Sequence, residues 1–146
     1  MKKVLIVFGF IMLLTCRVVA QEWHTDFNKA KTIAAQKGKP IVLAFQGSDW
    51  CSICVKQDKR VWSTDIFKKH AADHYVLLLA DFPKRKKNVL PEAQAQANAK
   101  LAAIYNKKQI FPYVLVLNEK GDVLGETKYK KLDAAGFIKV LDAFVK

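Results

Sequence analysis

Cysteine is scarce in this chain: three residues in 146, at positions 16, 51 and 54. A disulfide-stapled small scaffold needs several bridges at wide spacings, so that class is excluded. Six glycines and four prolines are too few for a fibrous or low-complexity protein. Acidic residues are few as well: 13 Asp and Glu stand against 25 Lys and Arg, a net charge of +12. Such an excess suits nucleic acid, an anionic surface or acidic partners, and by itself it selects none of them. No repeat appears at a solenoid period. Core material, in contrast, is plentiful. Hydrophobic residues make up 51% and charged residues 26%, the composition of one globular domain.

The first twenty residues read as a leader. Lys2 and Lys3 make a basic start, and Val4 to Leu14 is apolar throughout apart from Gly9. That run is far shorter than the roughly twenty residues a bilayer span requires. Val18-Val19-Ala20 offers small or modest residues at −3 and −1 of a cut before Gln21. The three parts together predict a secretory signal peptide over 1–20 and a mature domain over 21–146, placed in a periplasm or secreted. Leu13-Leu14-Thr15-Cys16 also has the shape of a lipoprotein box, with Thr15 where Gly, Ala or Ser is usual. Lipidation at Cys16 is therefore the secondary alternative, and the only route to a membrane. Cleavage removes Lys2, Lys3 and Arg17, so the net charge falls from +12 to +9. It also leaves Cys51 and Cys54 as the only cysteines.

Along the mature chain, Thr25 or Asp26 caps a helix from about Phe27 to Lys37, and Gly38 stops it. Ile41–Phe45 is a continuous apolar run that predicts a strand covered on both faces. A helix carrying Cys51 and Cys54 follows and runs to about Val61. Asp65 caps another, to about Ala72. Tyr75–Ala80 is the second buried strand. Pro83–Pro91 is a loop containing Lys84-Arg85-Lys86-Lys87. Glu92–Tyr105 is helical, with Leu101, Ile104 and Tyr105 to pack. Tyr113–Leu117 and Val123–Thr127 form a hairpin about Asn118–Gly121. Asp133 caps a last helix with Phe137, Ile138, Leu141, Phe144 and Val145 inward. Strands alternating with helices imply parallel crossovers, and the closing hairpin is antiparallel. The expected fold is α/β, with a central mixed sheet flanked by helices on both faces.

Cys51 and Cys54 close too small a loop for a disulfide between them to stabilise much. Chemistry is the better explanation. On a helix, residues i and i+3 share a face about 5 Å apart, within the span a disulfide tolerates. Cys51 at the helix N-terminus meets unpaired N–H groups and the positive dipole end, which favour a thiolate. Cys51 is then the exposed attacking sulfur and Cys54 the buried resolving one, with Trp50 shielding one side. Half of a zinc site is an alternative, short of ligands even with His70 and His74 at i, i+4 spacing. An inert disulfide is another. A hydrolase would need a base that nothing near Cys51 supplies.

These segments resemble the thioredoxin superfamily over nearly the whole mature chain. The similarity is nearest to exported bacterial disulfide reductases and isomerases. It rests on Lys37-Gly38-Lys39-Pro40-Ile41-Val42-Leu43, on Asp49-Trp50-Cys51-Ser52-Ile53-Cys54, on Ile110-Phe111-Pro112 before Tyr113–Leu117, and on the hairpin Asn118–Val123. The resemblance implies that Pro112 is cis, lies against the cysteine pair, and with Phe111 receives a substrate strand. Thioredoxin proper carries a buried carboxylate at the position that falls about Ala44. Ser52-Ile53 matches neither the Gly-Pro of reductases nor the Pro-His of strong oxidants. The segment Pro83–Ala99 lengthens the usual connection.

The expected function is thiol–disulfide exchange of the reductase or isomerase type on protein substrates, served by a redox partner protein. The runner-up is a redox-inactive module of the same fold, a metal carrier or an adaptor. No cofactor, metal or nucleic acid is expected, and the protein is expected to be a monomer. Lys84–Lys87 lacks the interleaved aromatics of a nucleic-acid surface. It reads as a solvated loop that could steer acidic substrates. Trp23 and Trp62 read as packing residues.

Overall fold

The computed structural model describes residues 21–146. The proposed leader and Cys16 lie outside the described residues. Five strands form one sheet: β1 (Trp23–His24), β2 (Ile41–Gln46), β3 (Val76–Asp81), β4 (Tyr113–Leu117) and β5 (Val123–Lys128). Their spatial order is β1-β3-β2-β4-β5. β1 and β2 run parallel to β3, while β4 is antiparallel to both β2 and β5. The five α-helices are α1 (Phe27–Lys37), α2 (Ser52–Gln57), α3 (Asp65–His74), α4 (Glu92–Tyr105) and α5 (Ala134–Asp142). This is the mixed sheet that the sequence predicts.

The alternation of side chains along β2 builds two cores. Val42 and Ala44 face one side, with Val61, Trp62, Phe67, Phe137 and Leu141. Ile41, Leu43 and Phe45 face the other, with Ala30, Ala34 and Leu101 from α1 and α4. Every residue from Ile41 to Phe45 is buried, as a strand covered on both faces must be.

The helix ends follow their caps. Asp26 accepts from Lys29 N–H at 2.9 Å and Asp133 accepts from Gly136 N–H at 2.8 Å. Gly38 closes α1 with φ 61°, a left-handed conformation that glycine adopts freely. Thr64, not Asp65, caps α3: its hydroxyl oxygen accepts from Phe67 N–H. Asp65 instead occupies the first turn, where a carboxylate suits the helix dipole.

Some expectations are corrected. β1 is a two-residue strand that the sequence does not announce. The helix after the cysteines does not run straight to Val61. Past Gln57 it loosens into a π-helical turn over Asp58–Trp62, where Ser63 N–H reaches back to Asp58 O at 2.9 Å. Ile104 and Val145, expected to pack inward, are exposed. In α4 Asn98, Leu101, Ala102 and Tyr105 form the inward face and leave Ile104 outside it, and Val145 lies beyond the end of α5.

Candidate active site

The site is built where β2 and β3 end, β4 begins and α2 starts. Cys51 is the N-cap of α2: its backbone is extended and its Sγ accepts from Cys54 N–H at 3.2 Å. Its own N–H donates to Gly47 O at 2.9 Å, and its carbonyl accepts from Val55 N–H at 3.1 Å. Cys51 and Cys54 are joined as a disulfide, with 5.2 Å between their Cα atoms. One free-standing N–H already points at Cys51 Sγ, and a negative sulfur would accept it more strongly than a neutral one. That favours a thiolate there when the bond opens. Cys51 is not exposed as expected: it is 8% accessible and Cys54 3%. The bond to Cys54 holds Sγ over the first helical turn, where it also accepts the Cys54 N–H.

Trp50 stands beside the pair. Its indole N–H donates to Phe82 O at 2.7 Å, and its ring meets Phe111 edge-on at 5.4 Å. Gly47 is required under it, because a Cβ there would overlap the indole. Phe82 and Phe45 extend the aromatic layer inward. The Phe111–Pro112 peptide is cis and opens β4, so the structure brings Trp50, Cys51, Cys54, Phe111 and Pro112 to one end of the sheet. Ile53, between the cysteines, is turned outward and 43% exposed.

Several residues around the site were not singled out by sequence. Buried Asn106 binds Ile110 twice: its Nδ2 donates to Ile110 O and its Oδ1 accepts from Ile110 N–H, each at 2.9 Å. That closes the turn leading into Phe111–Pro112. Tyr113, after the proline, donates its hydroxyl to Glu126, and burial pushes its pKa up to about 12. Buried Gln57 lies one helical turn after Cys54, and neither its Nε2 nor its Oε1 finds a partner among the described residues. An amide one turn past a cysteine pair was the only signal available for it. Ala44, at the position of the missing carboxylate, is buried among apolar neighbours.

Asp49 lies two residues before Cys51, yet its carboxylate points away from the cysteine. It accepts from Lys84 N–H (2.9 Å), Arg85 N–H (3.0 Å) and Asn88 Nδ2 (2.9 Å). These bonds, led by the one from Lys84, hold its pKa below the usual carboxylate value. Ser48 binds Asp81 through both its N–H and its hydroxyl, at 2.9 and 2.6 Å. Far from this end, His70 and His74 stack at 4.1 Å, and His70 Nε2 lies 3.2 Å from Asp142. Among the described residues, no group of three or more His, Cys, Asp or Glu is placed to hold a metal ion. No helix among them is long and apolar enough to cross a membrane.

Comparison with known proteins agrees with this geometry. A family profile described as thioredoxin-like matches residues 22–118. A disulfide bond reductase, DsbH, of Chlamydia pneumoniae is 31% identical over 125 residues, covering 86% of this chain and 73% of that protein. The solved structure of a DsbH oxidoreductase superposes with a TM-score of 0.79 at 29% identity, covering 94% of each chain. A disulphide isomerase from Xylella fastidiosa shares the fold, with a TM-score of 0.60 at 21% identity, over 81% of this chain and 87% of its own.

Proposed function

The chain belongs to the thioredoxin-like family, and we propose on that footing that it is an exported thiol–disulfide oxidoreductase that reduces or isomerises disulfides in protein substrates. The observation that carries this reading is the Cys51–Cys54 pair, with Cys51 Sγ capping α2 and accepting the Cys54 N–H.

In the reduced protein Cys51 loses its proton to solvent more readily than a free thiol, because the helix N-terminus and that N–H favour the anion. The thiolate attacks one sulfur of a substrate disulfide. A Cys51–substrate bond forms, the substrate S–S bond breaks, and the departing substrate thiolate takes up a proton. Cys54, deprotonated in turn, attacks Cys51 Sγ, which forms the Cys51–Cys54 disulfide and releases the second substrate thiol. Two electrons have passed to the substrate, and a dithiol of a redox partner protein restores the pair. Phe111 and Pro112 present the backbone against which the substrate segment lies, and Trp50 forms the adjoining wall. Residues 1–20 direct export and are cleaved before Gln21, and the mature domain acts as a monomer.

The decisive experiment replaces each cysteine in turn. Cys51→Ser is expected to abolish exchange. Cys54→Ser is expected to accumulate mixed disulfides, because attack proceeds and resolution does not. Trapping by Cys51→Ser in place of Cys54→Ser reverses the assignment. Stoichiometric binding of zinc or copper by the reduced protein, with no disulfide reduced, rejects the enzyme in favour of a metal carrier.

A further inference from the structure

The loop after β3 is fastened to the turn that carries Cys51. Phe82 N–H donates to Gln46 O at 2.9 Å. Asp81 holds Ser48, Phe82 O holds the Trp50 indole, and Asp49 holds the backbone of Lys84 and Arg85 and the Asn88 side chain. The loop is therefore in register with the active-site turn from end to end. Asp49 spends its carboxylate on two backbone N–H groups and the Asn88 amide, so it forms no ion pair with the four basic side chains of this stretch. Lys84 extends over the Trp50 ring, Nζ 4.0 Å from its centroid. Lys84, Arg85, Lys86 and Lys87 are all exposed, and among the described residues none makes an ion pair with a carboxylate.

The sequence that follows adds little acidic charge to offset this one. Between Phe82 and Asn118, Glu92 is the sole acidic residue against seven Lys and Arg. Two of the seven, Lys107 and Lys108, are exposed in the turn that leads to Phe111. Lys84 thus covers Trp50, and Lys107 lines the groove that also holds Phe82 and Phe111.

We propose that this fastened basic loop selects the protein substrates of Cys51, favouring disulfides flanked by acidic residues. The inference rests on the thiol–disulfide reading and adds the class of substrate to it. The fixed position of the loop matters more than the charge of the whole molecule. A uniformly basic surface would accelerate every anionic partner alike, whereas a loop held against one wall of the site favours acidic residues at a set distance from the scissile sulfur. An acidic segment would meet exposed guanidinium and ammonium groups, none of them ion-paired among the described residues, beside an Asp49 carboxylate already engaged by the N–H donors of the loop.

The test uses the pre-reduced mature protein in single turnovers, so that no added thiol competes. Two disulfide-bridged peptides are compared, alike except that Glu flanks the disulfide in one and Gln in the other. The Glu peptide is expected to react at least about tenfold faster, within the range of electrostatic steering. The preference is expected to fade as salt rises from about 0.01 M to about 1 M, where the screening length drops from about 30 to about 3 Å. Replacing Arg85, Lys86 and Lys87 together by Gln leaves the Asp49 bonds to backbone N–H in place and is expected to erase most of the preference. A charge-matched triple, K37Q, K120Q and K146Q, sits at the opposite end of the sheet and is expected to retain it.

Equal rates for the two peptides, or equal loss of preference in the two triples, overturns the inference. So does a loop triple that reacts normally with both peptides but no longer binds vesicles of anionic phospholipid, since the loop then serves a membrane. Hydroxyethyl disulfide, small and uncharged, separates the two levels. If the native protein reduces it without discriminating between the peptides, the inference alone fails. If the native protein leaves it intact, the thiol–disulfide reading fails too.

Discussion

At Cys51 and Cys54 two identical side chains occupy different positions in one helix. One terminates a helix and the other lies inside its first turns, so only Cys51 can use the N-terminal donors. The N-terminal position of Cys51 was legible in the sequence because it depends on nothing beyond the local chain, whereas the expected contrast in exposure was not, since both sulfurs are buried. Gln57 is the opposite case. Its role in the helix was ordinary, and only the packed structure makes it unusual: it is 1% accessible with both polar atoms unpaired. Burying an unpaired amide costs roughly 1–3 kcal/mol, whereas an apolar side chain of similar shape avoids that cost. Gln57→Met is therefore expected to stabilise the protein by about 1–3 kcal/mol, read as a higher urea midpoint with an unchanged slope. A lower midpoint would show that the amide is paired in solution and contributes to the fold.

Among the elements, the strands were the most legible, because Ile41–Phe45, Val76–Ala80 and Tyr113–Leu117 are continuous apolar runs that only a doubly covered sheet can bury. Asp26, Gly38 and Asp133 likewise announced helix ends through local chemistry. What escaped detection depends on partners distant in sequence. β1 has two residues and exists because β3 pairs with it. The π-helical turn at Asp58–Trp62 keeps both Val61 and Trp62 buried, a demand set by the core and not by local propensity. The attachment of the basic loop links Asp49 to residues 35 to 39 positions away. Asp49→Ala removes three acceptor interactions at once. It is expected to make the Lys84–Lys87 stretch several-fold more susceptible to trypsin while the β-sheet core remains folded. The pH dependence has a definite sign. The carboxylate is more acidic in the folded loop than in an open one, so the attachment is complete above the usual Asp range and weakens as pH falls through the lowered value. Native protein digested with an acid-tolerant protease should show the loop opening only in that acid range. Opening near neutrality would exclude Asp49 as the anchor.

At the scale of the whole molecule, the redox potential and the stability are one quantity seen twice. A strong oxidant is a protein whose reduced form is the more stable, and every 30 mV corresponds to about 1.4 kcal/mol for a two-electron couple. The features that could stabilise the Cys51 thiolate here are few. They are one N–H from Cys54 and the end of a six-residue helix. Ser52-Ile53 supplies no cation, and Ile53 is turned to solvent. The Asp49 carboxylate, which would oppose the thiolate, is directed into the loop. The loop cations are exposed, and at physiological salt their field is screened over about 8 Å. These contributions add up to a modest stabilisation of the reduced state, without the charge-paired thiolate of a strong oxidase. The potential is therefore expected nearer the thioredoxin end, about −270 mV, than the strong-oxidant end, about −120 mV. Equilibration with glutathione buffers and thiol counting measures it directly, and a value above roughly −150 mV overturns the reductase reading. The same expectation has a second readout. Denaturant unfolding of the two redox forms should find the oxidised protein at least as stable as the reduced one. The protein for both measurements is the form recovered from expressing cells, whose intact mass is expected to correspond to a start at Gln21. A diacylglyceryl adduct on Cys16 would instead place the same domain at a membrane surface.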